Sequence, residues 1–63
     1  MLHPTQYYPT REAAQSDADR FGGWDNVTVR DHDWGTGDVE YYITATDIGG
    51  GYHRVYGQDG FFH

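Results

Sequence analysis

The stretch Val39-Glu40-Tyr41-Tyr42-Ile43-Thr44-Ala45-Thr46 decides the fold. Val39, Tyr41, Ile43 and Ala45 fall on one side of an extended chain, and Glu40, Tyr42, Thr44 and Thr46 on the other. A period of two is that of a half-buried strand, and β-branched and aromatic side chains suit its pleated surface. Glycine-bearing turns bound it: Asp33-Trp34-Gly35-Thr36-Gly37-Asp38 before it, Asp47-Ile48-Gly49-Gly50-Gly51 after it.

Both flanks continue the period. From Trp24 onward, Val27 and Val29 point one way, and Asn26, Thr28 and Arg30 the other. Tyr52 to Tyr56 reads as a third strand with Val55 inward; Gln58-Asp59-Gly60 then turns the chain, and Phe61-Phe62 folds back to close the core. Loops this short make consecutive strands antiparallel neighbours.

Ahead of the strands the period changes. Thr10 is an N-cap and Glu12 lies in the first turn, where the helix dipole favours an anion. Arg11 to Phe21 reads as a helix whose narrow apolar face is Ala14, Ala18 and Phe21, with Ala13 beside it, ended by a left-handed cap at Gly22-Gly23. Pro4 and Pro9 bracket Gln6-Tyr7-Tyr8 and push their preceding residues toward extended backbone.

The expected fold class is therefore α+β: one N-terminal helix on a three-stranded antiparallel sheet, order α-β-β-β. Residues 1–63 form one domain in which 1–9 is an extended arm or a short edge strand, the latter making the sheet four-stranded. The expected core is Ala14, Ala18, Phe21, Val27, Val29, Val39, Tyr41, Ile43, Val55 and one of Phe61 or Phe62. Trp24, Tyr42, Tyr52 and Tyr56 are expected on the open sheet face.

Composition limits function. A chain of 63 residues has a small core, and without Cys no disulfide supports it. Aromatic residues, 17% of the chain, supply the bulk instead. The net charge is −6, Lys is absent, and the four basic residues are all Arg. Such a surface repels nucleic acid and anionic membranes and attracts basic proteins. No apolar run reaches the length of a membrane span. Met1-Leu2-His3-Pro4 lacks the basic and apolar segments of a signal peptide, so a cytoplasmic location is expected.

An enzyme is not expected. Ser16 is the single Ser, it falls on the helix, and no base is placed beside it. A metal or other cofactor is not expected either. Around Asp31-His32-Asp33 the calcium-loop pattern fails, with Gly35 and Thr36 where an oxygen ligand and the turn glycine belong, and Tyr42 where the bidentate acid belongs. His3, His32, His53 and His63 have no zinc-type spacing.

Acids and aromatics that gather in one hairpin remain. Strand residues two apart lie about 6.8 Å apart on one face, so Asp31 with Asp33, and Asp38 with Glu40, make two carboxylate pairs on the scale of successive phosphates. Trp34 and Tyr42 lie among them. Aromatics amid acids suit a basic, Arg-rich protein surface. The expected partner-binding residues are Asp31, Asp33, Trp34, Asp38, Glu40 and Tyr42.

In size, charge and architecture the whole chain resembles the small inhibitors that phages encode, notably anti-CRISPR proteins. That resemblance implies an inhibitor acting in the host cytoplasm by covering the nucleic-acid-binding surface of a CRISPR effector, and it assigns no residue roles. The partner expected is a basic nucleic-acid-binding protein, with no direct binding of nucleic acid or membrane, and the chain a monomer or weak homodimer. The alternative is a non-catalytic interaction module or homodimer whose acids serve solubility, as in a halophile or GC-rich host.

Overall fold

The computed structural model describes residues 5–63. Its elements are α1 (Arg11–Ala18), β1 (Asp25–Asp33), β2 (Val39–Thr46) and β3 (His53–Val55), and the strands form one antiparallel sheet in the order β1-β2-β3. The α+β architecture in the order α-β-β-β is thus the observed one.

The helix starts where its cap predicts. Thr10 is extended, with φ −135° and ψ 155°, and its hydroxyl accepts from the Ala13 N–H at 3.2 Å. It ends sooner than Phe21. No basic residue occupies its last turn, while Asp17 and Asp19 crowd the negative end of the dipole. Arg20 and Phe21 then donate to the carbonyls of Asp17 and Ala18, three residues back, which tightens and closes the chain. The cap residue is Asp19, in right-handed backbone, rather than the Gly22-Gly23 pair. Phe21 is carried past the helix, where its ring meets Tyr56 at 4.7 Å and Phe62 at 5.1 Å.

Register sets the two faces. Val29 pairs with Ile43 and Asp31 with Tyr41 on the helix side; Arg30 pairs with Tyr42 and Thr28 with Thr44 on the open side. An extra residue between Asp25 and Thr28 makes a β-bulge, with Asn26 in left-handed backbone at φ 50°. Ile43 is fully buried, in a cluster with Tyr8, Ala14 and Ala18. Ala13, Phe21, Val27, Val29, Tyr41, Tyr56 and Phe62 pack around it.

Several expected positions differ. The last strand is His53–Val55 rather than Tyr52 to Tyr56. Val55 pairs with Thr44, so it lies on the open face and not in the core. Val39, at the hairpin end beyond the reach of the helix, is 42% exposed. Of the two terminal phenylalanines Phe62 enters the core and Phe61 is exposed. Tyr56 joins the core, and Trp24 lies against Phe62 at 4.6 Å, so neither stands on the open face. The cause is the folded-back C-terminus: Val55 and His63 exchange both backbone hydrogen bonds, at 3.0 and 2.9 Å, which places Phe62 beside Tyr56.

Among the described residues the N-terminal segment, 5–9, is an arm pinned at two points and forms no fourth strand. Thr5 bridges to Gly57, and Tyr8 exchanges hydrogen bonds of 2.7 and 3.0 Å with Tyr41. Met1 to Pro4, the start of the expected 1–9 arm, lie outside the described residues.

Tyr8 ties this arm to the helix. It is 8% exposed, and its hydroxyl donates to Asp17 Oδ2 at 2.6 Å, while Asp17 also pairs with Arg20. That hydrogen bond, above all, holds the Asp17 carboxyl below its ordinary 3.8; burial, then the carboxylate beside it, pushes the Tyr8 phenol well above its ordinary 10.0. Both shifts make stability depend on pH. The carboxylate's contribution is present above pH 3.8 and is lost as pH falls through the lower folded value. The phenol's is present below pH 10.0 and is lost as pH rises beyond it. Tyr8→Phe is expected to cost about 1–2 kcal/mol at pH 7, as a hydrogen bond to a partly exposed charged group does. The deficit should shrink as Asp17 is protonated. Urea melts of both chains at pH 7 and pH 3 check this; a deficit unchanged at pH 3 would remove Asp17 from the account.

Candidate functional site

The β1–β2 hairpin ends in a five-residue loop, 34–38, closed by Trp34 N–H donating to the Asp38 carbonyl at 3.1 Å. Gly35 and Gly37 have φ of 84° and 86°, a region open to Gly at no steric cost. Asp33 Oδ1 accepts from the Gly35 N–H at 2.8 Å, and the Thr36 hydroxyl donates to Asp38 Oδ2 at 3.3 Å. Both acids therefore also shape the turn.

Trp34 is fixed, though 48% exposed. Its Nε1–H donates to Glu40 Oε1 at 3.1 Å, and its ring sits edge-on to His32 at 4.4 Å and to Tyr7 at 5.0 Å. Pro9, Trp34, Thr36, Asp38, Val39 and Glu40 line one open groove beside the loop. It brings together three of the six expected site residues: Trp34, Asp38 and Glu40.

The other three lie elsewhere. Asp31 pairs with Tyr41 and Asp33 with Val39, so both carboxylates leave the sheet on the helix side. Glu40 pairs with His32 on the open side, which Asp38 shares by alternation. The two carboxylate pairs therefore do not form one array; they stand on opposite faces of the same hairpin end. Tyr42, half-buried, lies on the open face beside Arg30, 6.0 Å from the Tyr7 ring, in a second groove with Thr44, His53, Arg54 and Val55.

Charge pairing separates these acids from Asp17 and Asp47, but not from Glu12, Asp19 and Asp25, which also have no cation within ion-pair distance among the described residues. Asp17 is paired with Arg20, and Asp47 with Arg54 through two hydrogen bonds of 2.6 and 3.1 Å that hold its carboxyl below the usual range. Among the described residues Asp31, Asp33, Asp38 and Glu40 have no cation within ion-pair distance. Asp31, Asp33 and Asp38 are exposed and Glu40 is half-buried.

Tyr7, His32, Pro9 and Val39 are parts of this region that sequence reasoning did not assign to it. His32 was readable, since it shares alternation with Arg30. Tyr7 and Pro9 arrive only because the N-terminal arm pairs alongside β2 at Tyr41. Among the described residues no three His, Asp or Glu side chains gather as a metal site, and no helix is long and apolar enough to cross a membrane. Compared with protein-family models, with curated proteins and with solved structures, the chain matches none.

Proposed function

We propose that this chain is a non-catalytic protein inhibitor that binds a basic, nucleic-acid-binding protein with the end of its β1–β2 hairpin and takes the place of nucleic acid there. The observation that supports this reading is the group of carboxylates at Asp31, Asp33, Asp38 and Glu40, with no cationic partner among the described residues. An acidic ridge with carboxylates on both faces fits a groove with basic walls, the form of a channel that holds a nucleic-acid strand. Trp34, held in place by Glu40 and its ring neighbours, enters such a groove with little rotamer freedom to lose. The resemblance to anti-CRISPR proteins points to a CRISPR effector as the partner and to the host cytoplasm as the place of action.

The test is capture from a native-host lysate with the tagged chain as bait, followed by mass spectrometry. Basic nucleic-acid-binding proteins should be enriched. They should elute as salt rises from about 0.1 to about 1 M, which shortens the screening length from about 10 to about 3 Å. DNA or RNA oligonucleotides should displace them. A partner retained at high salt, and held equally well with nucleic acid bound, would sink the mimicry reading.

A further inference from the structure

We propose that β1 is itself a docking edge: it takes up an antiparallel strand from the partner by main-chain hydrogen bonding, and that strand carries Arg or Lys at alternate positions. This rests on the reading of the partner as basic and adds how it is held.

The direction of the backbone groups defines the edge. On β2, Tyr41 exchanges hydrogen bonds with Tyr8, and the Ile43 carbonyl accepts from Tyr56, so the odd-numbered residues face away from β1. The even-numbered Glu40, Tyr42 and Thr44 therefore bond to β1, through their register partners His32, Arg30 and Thr28. That leaves the N–H and C=O groups of Val29, Asp31 and Asp33 pointing outward. No backbone hydrogen bond from the other described residues reaches them. The opposite side of the sheet is closed, since β3 pairs with His63 through Val55.

A nine-residue strand with one bare edge invites pairing unless something blunts it. Here the same residues that offer the backbone groups, Asp31 and Asp33, project carboxylates on the helix side. An incoming strand sets its residues directly opposite them, where opposite charges stabilise and like charges repel. A second copy fits badly. Antiparallel β1–β1 registers centred on residues 30, 31 and 32 oppose Arg30 to Arg30, Asp31 to Asp31 and Asp31 to Asp33. The register centred on Val29 meets the bulge at Asn26. A strand with alternating basic residues meets none of these obstacles, and such main-chain pairing is a known mode of strand capture.

Amide exchange of the ¹⁵N-labelled full chain tests the proposal with three eight-residue peptides. One alternates Arg and Thr; one has the same composition with the Arg grouped; one alternates with the backbone amide nitrogens of its Arg residues methylated. The alternating peptide should slow exchange at Val29, Asp31 and Asp33 by at least about tenfold at saturation. Thr28, Arg30 and His32, already bonded to β2, should change far less, and the other two peptides should not protect the edge. Equal protection by the methylated peptide would overturn main-chain pairing, and equal protection by the grouped peptide would overturn the strand of alternating basic residues. Salt-sensitive shifts at the loop without edge protection would overturn it too, while leaving the basic-partner reading standing. No response to any peptide at millimolar concentration would overturn both. Edge protection that grows with protein concentration alone would make the occupant a second copy and overturn the basic strand.

Discussion

Ile43→Ala is expected to leave the domain largely unfolded at 37 °C. Ile43 is the largest fully buried side chain among the described residues, and its neighbours Tyr8, Ala14 and Ala18 come from the arm and the helix. Truncating a buried Ile to Ala costs about 2–5 kcal/mol, because the removed methyl groups lose burial and the neighbours cannot close the space. Alanines on the facing helix have no longer side chain with which to fill it. Domains have about 0.05–0.15 kcal/mol of stability per residue, so a chain of 63 residues has a total on the order of 3–9 kcal/mol. One substitution thus removes a large part of it. Ile43→Val, at about 0.5–1.5 kcal/mol, should keep a cooperative transition. Circular-dichroism melts in urea and heat measure both. A cooperative Ile43→Ala melt within about 1 kcal/mol of the parent would mean that the core is not centred on this residue.

The second large effect is on binding. Asp31→Arg with Asp38→Arg is expected to weaken capture of the partner at least about 100-fold, since like charges placed across an interface cost several kcal/mol. The choice follows from the geometry. Asp33 accepts the Gly35 N–H, so reversing it would disturb the loop as well as the charge. Asp31 makes no hydrogen bond within the described chain and stands on the helix side, while Asp38 stands on the open side. The pair therefore reverses one carboxylate on each face. Glu12→Arg with Asp19→Arg adds the same charge on the helix and serves as the control. If it weakened binding as much as the hairpin pair, net charge alone would govern the interaction and the hairpin would have no special part. Melting temperatures near the parent value must accompany both variants.

Much of the scaffold was legible in local pattern. Alternation from Val39 to Thr46 names a strand whatever surrounds it, and Thr10 caps a helix by a contact three residues away. That one of Phe61 and Phe62 closes the core was legible; which of the two, the core place of Tyr56 and the exposure of Val39 were not. They depend on the C-terminus folding onto β3 and on where the short helix ends.

The sequence by itself determined the order of elements, the acidity, and the concentration of acid and aromatic side chains between Asp31 and Tyr42. Tertiary structure decided which way those acids point. Closure of the loop at Trp34–Asp38 pairs Asp33 with Val39, and so odd-numbered residues with odd. A loop one residue longer or shorter would have paired odd with even and set Asp31, Asp33, Asp38 and Glu40 on a single face, because strand side chains alternate with a period of two. With Gly at both 35 and 37 the local sequence tolerates either closure. Packing of Val29 and Ile43 under the helix selects one, and that choice makes the hairpin an acidic ridge with carboxylates on both faces.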